Sequence, residues 1–157
     1  MQRDESVVDK PTNPKDAIGS NKVPLHLFPT TARTAGAIAF LNGACKYGRS
    51  NFRAVGVRAS IYYDAASRHL DAWFEGEEHD PDDGVHHLSA AIACIAILID
   101  ARAADKLNDD RMIHGGYRQH MADTLPEVRR LKALHESYNP KHYTINDTPA
   151  QLDANPA

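Results

Sequence analysis

Two helical registers joined by nine residues, six of them acidic, constrain this chain more than any other feature. From about Val57 to Phe74 an apolar stripe of Tyr62, Ala66, Leu70 and Trp73 runs beside a polar stripe of Ser60, Asp64, Arg68, Asp71 and Glu75. Both stripes fit one helical register. A further helix is predicted from about Val85 to Leu107, apolar on all faces at its centre, as a buried helix or an oligomer contact would be. The connector from Glu75 to Asp83 is tight, so the two helices are expected to pair antiparallel.

Other segments follow the same grammar. Ala35, Ile38, Leu41 and Cys45 predict a helix over Thr31–Gly48, with Gly48 as its stop. Gly48 to Gly56 reads as a loop. Thr124-Leu125-Pro126-Glu127 is a capping-box pattern that predicts a shorter helix carrying Val128, Leu131 and Leu134. Residues 1–30 hold Pro11, Pro14, Pro24 and Pro29 and read as an irregular arm, neither helix nor strand. Residues 138–157 read as a polar tail, frayed or ordered only on contact. The expected fold is all-α: an arm over 1–30, a helical catalytic domain over 31–137, and the tail.

Composition excludes several classes. Net charge is −3, so a basic nucleic-acid-coating protein is disfavoured. Cys45 and Cys94 form no CxxC pair, which argues against a zinc finger or a secreted cystine scaffold and predicts two buried free thiols. No secretory signal is visible in MQRDESVVDK, and the longest apolar run, Ala90–Ile99, is ten residues, too short to span a bilayer. The expectation is a soluble, cytoplasmic protein with no membrane and no nucleic-acid partner.

Three features carry chemistry. Glu75, Glu77, Glu78, Asp80, Asp82 and Asp83 repel one another unless water or cations screen them, and hard oxygen ligands suit Mg²⁺ or Mn²⁺. His69, two turns before the connector, and His86-His87, just after it, would converge there and extend the choice to Co²⁺ or Zn²⁺. A solvated acidic turn with a hydrogen-bonded core His69 remains the competing reading. In the arm, Lys15, Gly19, Ser20 and Lys22 could wrap a phosphate or a base edge, without Walker A spacing; a simple charged turn is the alternative. Lys46 to Arg53, followed by Arg58, puts cations and rings near a loop, as a nucleotide site needs; cations at a helix C-terminus are also common on electrostatic grounds.

The strings NPKDAIGSNKVPL (13–25), GACKYGRSNFR (43–53), YDAASRHLDAW (63–73) and GEEHDPDDG (76–84) together resemble the phage dATP/dGTP diphosphohydrolases (MazZ), a branch of the all-α MazG-like nucleotide pyrophosphohydrolases. The likeness covers about residues 11–111, and its specificity lies in the order of the four blocks. It implies hydrolysis of a purine deoxynucleoside triphosphate to monophosphate and pyrophosphate, two or three divalent ions per site, and a homo-oligomeric helical bundle, dimer or tetramer. In such phages the dGMP supplies 2-aminoadenine nucleotides, and loss of dATP helps exclude adenine. The wider MazG pattern EExxE…ExxD has no clean copy here. Where ExxD is expected the chain offers His87 and Ala90, and helix-borne Asp64 or Asp100 are alternative ligands.

The resulting expectation is cation-dependent hydrolysis of dGTP, with dATP as a second substrate. Glu77, Glu78 and Asp80 would hold the ions and one of them would serve as base; His69 and His87 would be ligands or orient ligands. Lys15, Lys22, Lys46, Asn51, Arg58 and Arg68 would meet the substrate, and Ile18, Gly19, Ser20 and Asn21 would read the purine edge. Rival readings are an HD-type nucleoside monophosphate phosphohydrolase using His69 and His87, a non-catalytic nucleotide-binding helical oligomer, and a plain scaffold.

Overall fold

The computed structural model describes residues 13–147. The first twelve residues of the expected arm and the last ten of the expected tail lie outside them. Two helices pair by their ends across the acidic connector: α4 (Ala59–Phe74) and α5 (His87–Ala103). Before them come α1 (Pro14–Gly19), α2 (Thr30–Tyr47) and the short α3 (Asn51–Val55); after them comes α6 (Tyr117–Leu134). The chain divides between Arg111 and Met112 into two compact units, with α6 in the second. The fold is mostly helical, as the sequence predicts, with one two-residue parallel pairing of β1 (Val57–Arg58) and β2 (Leu107–Asn108).

In the first unit α5 lies between α2 and α4, and the buried positions are nearly all small: Ala39, Ala59, Ala66, Ala91, Ala93 and Ala101, with Val57. Small residues let helix backbones approach closely, and Gly36 shows how closely. A Cβ built on it would meet Ile92 Cγ2 at 3.0 Å. This corrects the expectation for α2. Its buried side carries Gly36 and Ala39, whereas Ile38 and Leu41 of the predicted stripe are 55% and 65% exposed, and Cys45 is exposed too. Of the two free thiols, Cys94 alone is half-buried.

Several boundaries also moved for identifiable reasons. The arm is not wholly irregular: Asn13 Oδ1 accepts from Lys15 N at 3.0 Å, and Pro14 occupies the first helical position, where a missing N–H costs nothing. The loop expected after Gly48 contains α3, bracketed by Gly48 at φ 87° and Gly56 at φ 81°. The helices expected from Val57 and to Leu107 are trimmed because the chain pairs there as β1 and β2, with Val57 N donating to Lys106 O at 3.0 Å. Asp110 then fastens the start of α4. Its carboxylate accepts from Ser60 N at 2.9 Å and from Ser60 Oγ at 2.5 Å.

In the second unit α6 begins seven residues before the predicted capping box. Gly115 and Gly116 both take left-handed φ, 73° and 70°, and the helix starts after them. Thr124 and Pro126 therefore sit inside the helix. Thr124 Oγ1 donates back to Met121 O at 2.8 Å, and Glu127 pairs with Arg130 instead of reaching back to the Thr124 amide. The described part of the tail carries a 3₁₀ turn, Ile145–Asp147, pinned by Lys141 on Asp147.

Candidate metal and nucleotide site

The connector delivers its side chains in an order set by hydrogen bonds. His79 and His86 pair across it as an isolated bridge, and His87 N donates to Glu78 O at 3.0 Å. The start of α5 is thereby tied to the strand-like run before the turn. His86 caps α5, its Nδ1 accepting from Leu88 N at 3.1 Å, while its Nε2 faces Glu78 Oε2 at 2.9 Å. His87 is buried, and each of its ring nitrogens has a partner: Nε2 with Glu77 Oε1 at 2.8 Å and Nδ1 with His69 Nδ1 at 2.9 Å.

His69, Asp80 and His87 each present a ligand atom, and these atoms lie within 4.8 Å of one another. Among the described residues this is the one such group of three. Asp80 is half-buried and accepts from Asp82 N on Oδ1 at 2.9 Å, so its other oxygen remains available. Burial, then the neighbouring His87, pushes the His69 imidazole below its ordinary pKa, although Asp80 and Asp83 oppose the shift. A neutral imidazole is the form that binds metal. The donor set of two imidazoles and a carboxylate fits Mn²⁺, Co²⁺ or Zn²⁺.

His69 and Asp80 also line a cleft of about 560 Å³ walled by α2, α4 and α5. Lys46, Arg49 and Asn51 line it too, and Phe52, Tyr62 and Ile97 supply apolar surface. Burial raises the pKa of both Tyr62 and Cys94, so each stays neutral on that wall at pH 7. The cleft thus brings two of the three converging groups together with cations and aromatic rings, within the size range of small-molecule sites.

The expected site residues fall into groups. His69, Asp80 and His87 come together, and Lys46 and Asn51 share the cleft with the first two. Glu77 and Glu78 are exposed and engaged with His87 and His86. Arg58 is exposed, 3.8 Å from Asp110, and Arg68 is exposed on α4; neither lines the cleft. Lys15, Ile18, Gly19, Ser20, Asn21 and Lys22 are exposed on α1 and the turn after it, outside the cleft lining. The alternative ligand Asp100 is held by Arg53 in a two-pronged pair at 2.6 and 2.8 Å, and Asp64 is exposed on α4.

Sequence reading placed Asp83 only within the acidic cluster and Arg49 only within the basic string, and did not name Asn42. Asp83 takes Lys46 Nζ at 2.6 Å and Asn42 Nδ2 at 2.7 Å, a contact across about forty residues that no local spacing signals. The Lys46 hydrogen bond, helped by Val85 N and Asn42, holds the Asp83 carboxyl down at about 2. Asp83 in turn raises Lys46. Arg49 could have been found: it lies inside the basic string that pointed to phosphates.

A cleft lined by His69, Asp80, Asp83, Lys46 and Arg49 on a helical scaffold has the chemistry that hydrolases of anionic phosphate esters use. Comparison gives the family. Residues 12–111 match the family described as dATP/dGTP diphosphohydrolase, N-terminal, and the chain belongs to it. It is therefore a nucleoside triphosphate diphosphohydrolase. No curated protein and no solved structure matches significantly.

Proposed function

We propose that this enzyme hydrolyses dGTP, and dATP as a second substrate, to the deoxynucleoside monophosphate and pyrophosphate in a cation-dependent reaction. Water adds to the α-phosphorus, and the bond to the oxygen bridging α and β breaks, so pyrophosphate leaves. The observation that carries this reading is that His69 and Asp80 line the same cleft as Lys46 and Arg49.

His69, Asp80 and His87 are the residues that would hold a divalent cation such as Mn²⁺ or Co²⁺. A cation bound there polarises a phosphoryl oxygen and makes a bound water more acidic. Lys46 and Arg49 neutralise phosphate charge, with Arg suited to two-pronged contacts. Phe52 and Tyr62 offer ring faces to the base. Asn51, half-buried in the cleft wall, offers an amide donor and an acceptor. Glu77 turns its charge on His87 and orients the imidazole. Glu78 acts on His86 in the same way. Ile18 to Asn21 are kept as readers of the purine edge on the strength of the resemblance alone, and so is the supply of dGMP for modified-purine phage DNA.

A homo-oligomer is part of the same reading. Ile38 and Leu41 on α2, with Ile95 and Ile99 on α5 at 47% and 66% exposure, leave more large apolar surface in water than a small helical unit tolerates easily.

The test is incubation with each dNTP and Mg²⁺, Mn²⁺ or Co²⁺, with product identification. The expected result is pyrophosphate from dGTP and less from dATP, none from dCTP or dTTP, and none after chelation. Orthophosphate from dGMP would favour the HD-type alternative, and tight nucleotide binding without turnover would favour a sensor.

A further inference from the structure

The connector must hold Asp80 against two imidazoles while six acidic side chains repel one another. Its own backbone does part of this. Asp80 N donates to Val85 O at 3.0 Å and Gly84 N to Asp80 O at 2.8 Å, so the tip of the turn closes on Asp80. Those bonds fix the shape of the turn, and His87 N on Glu78 O ties it to α5, but none of them reaches α2.

Asp83 supplies the missing attachment. Its Oδ1 accepts from Val85 N at 3.0 Å, inside the turn. Its Oδ2 accepts from Asn42 Nδ2 at 2.7 Å and from Lys46 Nζ at 2.6 Å. Those donors are four residues apart, on one face of α2. One oxygen therefore grips the turn and the other grips the neighbouring helix. The side chain is 18% exposed, which shields its bond to the ammonium better than a fully solvated pair would be. A merely solvated acidic turn has no use for two donors from another helix.

We propose that Asp83 is a positioning residue, fastening the Asp80-bearing turn to the last turns of α2 and pinning Lys46 Nζ on the cleft wall. It is not one of the three converging groups, and it acts through two others. Asp80 sits three residues upstream in the same closed turn. Lys46 carries its ammonium on a flexible four-carbon stem that a fixed carboxylate immobilises. Loss of Asp83 frees both at once, so cation affinity and phosphate binding should fall together. This rests on the cation-dependent reading above.

Asp83→Asn keeps the size of the side chain and its acceptor for Val85 N, but loses the charge that holds Lys46. Titration of the full chain with Mn²⁺ alone should show affinity weakened about tenfold, the scale for residues that orient ligands. With dGTP, KM should rise by about the same factor and kcat should change less. Asp83→Glu should recover part of the Mn²⁺ affinity, and Asp83→Asn should cost little more in a Lys46→Met background for KM while still weakening Mn²⁺.

A variant that melts lower but binds Mn²⁺ and dGTP as the wild type does would overturn the proposal and leave the reaction untouched. Wild-type protein that binds no Mn²⁺ would overturn both. Weakened Mn²⁺ binding in Asp83→Asn, with no pyrophosphate released by the wild type, would support the positioning role and sink the proposed reaction.

Discussion

His87 Nε2 lies 2.8 Å from Glu77 Oε1, while Nδ1 of the same ring lies 2.9 Å from His69 Nδ1. In the tautomer whose Nε2–H donates to that carboxylate, the Nδ1 lone pair faces His69. Glu77 thus works on the cluster through the imidazole. Glu77→Gln should weaken Mn²⁺ binding about tenfold by releasing the ring, the usual range for such partners being about 10–100-fold. Asp80→Asn should abolish measurable binding while far-UV circular dichroism stays unchanged. Equal loss in both variants would make Glu77 a direct ligand.

Gly56 is the most closely approached glycine among the described residues. Its φ is +81°, and a Cβ there would sit 2.7 Å from Lys106 O, the carbonyl that accepts from Val57 N. Gly56→Ala meets two costs: a backbone conformation at φ 81° and ψ 175° that is essentially reserved for glycine, at about 1–3 kcal/mol, and displacement of the β1–β2 pairing at about 1 kcal/mol. Thermal unfolding should shift down by roughly 5–15 °C. An unchanged Tm would mean that β1 and β2 do not hold the ends of α4 and α5 together.

The sequence made the helices legible because their signal is local. Tyr62, Ala66, Leu70 and Trp73 repeat within one element, and the structure returns α4 within two residues of the predicted start. The convergence of His69, Asp80 and His87 was legible for a related reason. A short connector forces its flanks together, so sequence proximity stood in for spatial proximity. Two things were hidden. The buried face of α2 is Gly36 and Ala39, and hydrophobic periodicity weighs Ile38 and Leu41 more heavily although they point outward. The grip of Asp83 on Lys46 and Asn42 joins residues about forty positions apart, and only packing of α2 against the α4–α5 pair creates it.

Pro126 sits mid-way along α6, where it has no N–H for Ala122 O and its ring crowds the preceding turn. No residue of α6 is buried, so packing offers little to offset that defect. Pro126→Ala should restore the missing bond and raise the helix propensity by up to about 3 kcal/mol. Amide exchange across Met121–Arg130 should slow, while hydrolysis of dGTP stays at the wild-type rate. Faster exchange would show that Pro126 stabilises α6.

Acid should act on Asp83 in a defined window. Its carboxyl ordinarily titrates near 3.8 and in the folded chain is held at about 2, chiefly by the Lys46 hydrogen bond. Because the folded pKa lies below the unfolded one, the unfolded chain binds the proton first, and stability falls as pH falls. The contribution is complete above about pH 4 to 5, erodes through the interval between the two values, and is gone below about pH 2. Asp109, held at about 2 by Arg111, titrates in the same window but is common to wild type and variant. Denaturant midpoints of wild type and Asp83→Asn should therefore differ by a constant amount from pH 5 to 8 and converge between pH 4 and 2. A gap that stays constant down to pH 2 would mean that the Asp83–Lys46 pair adds nothing to folding stability.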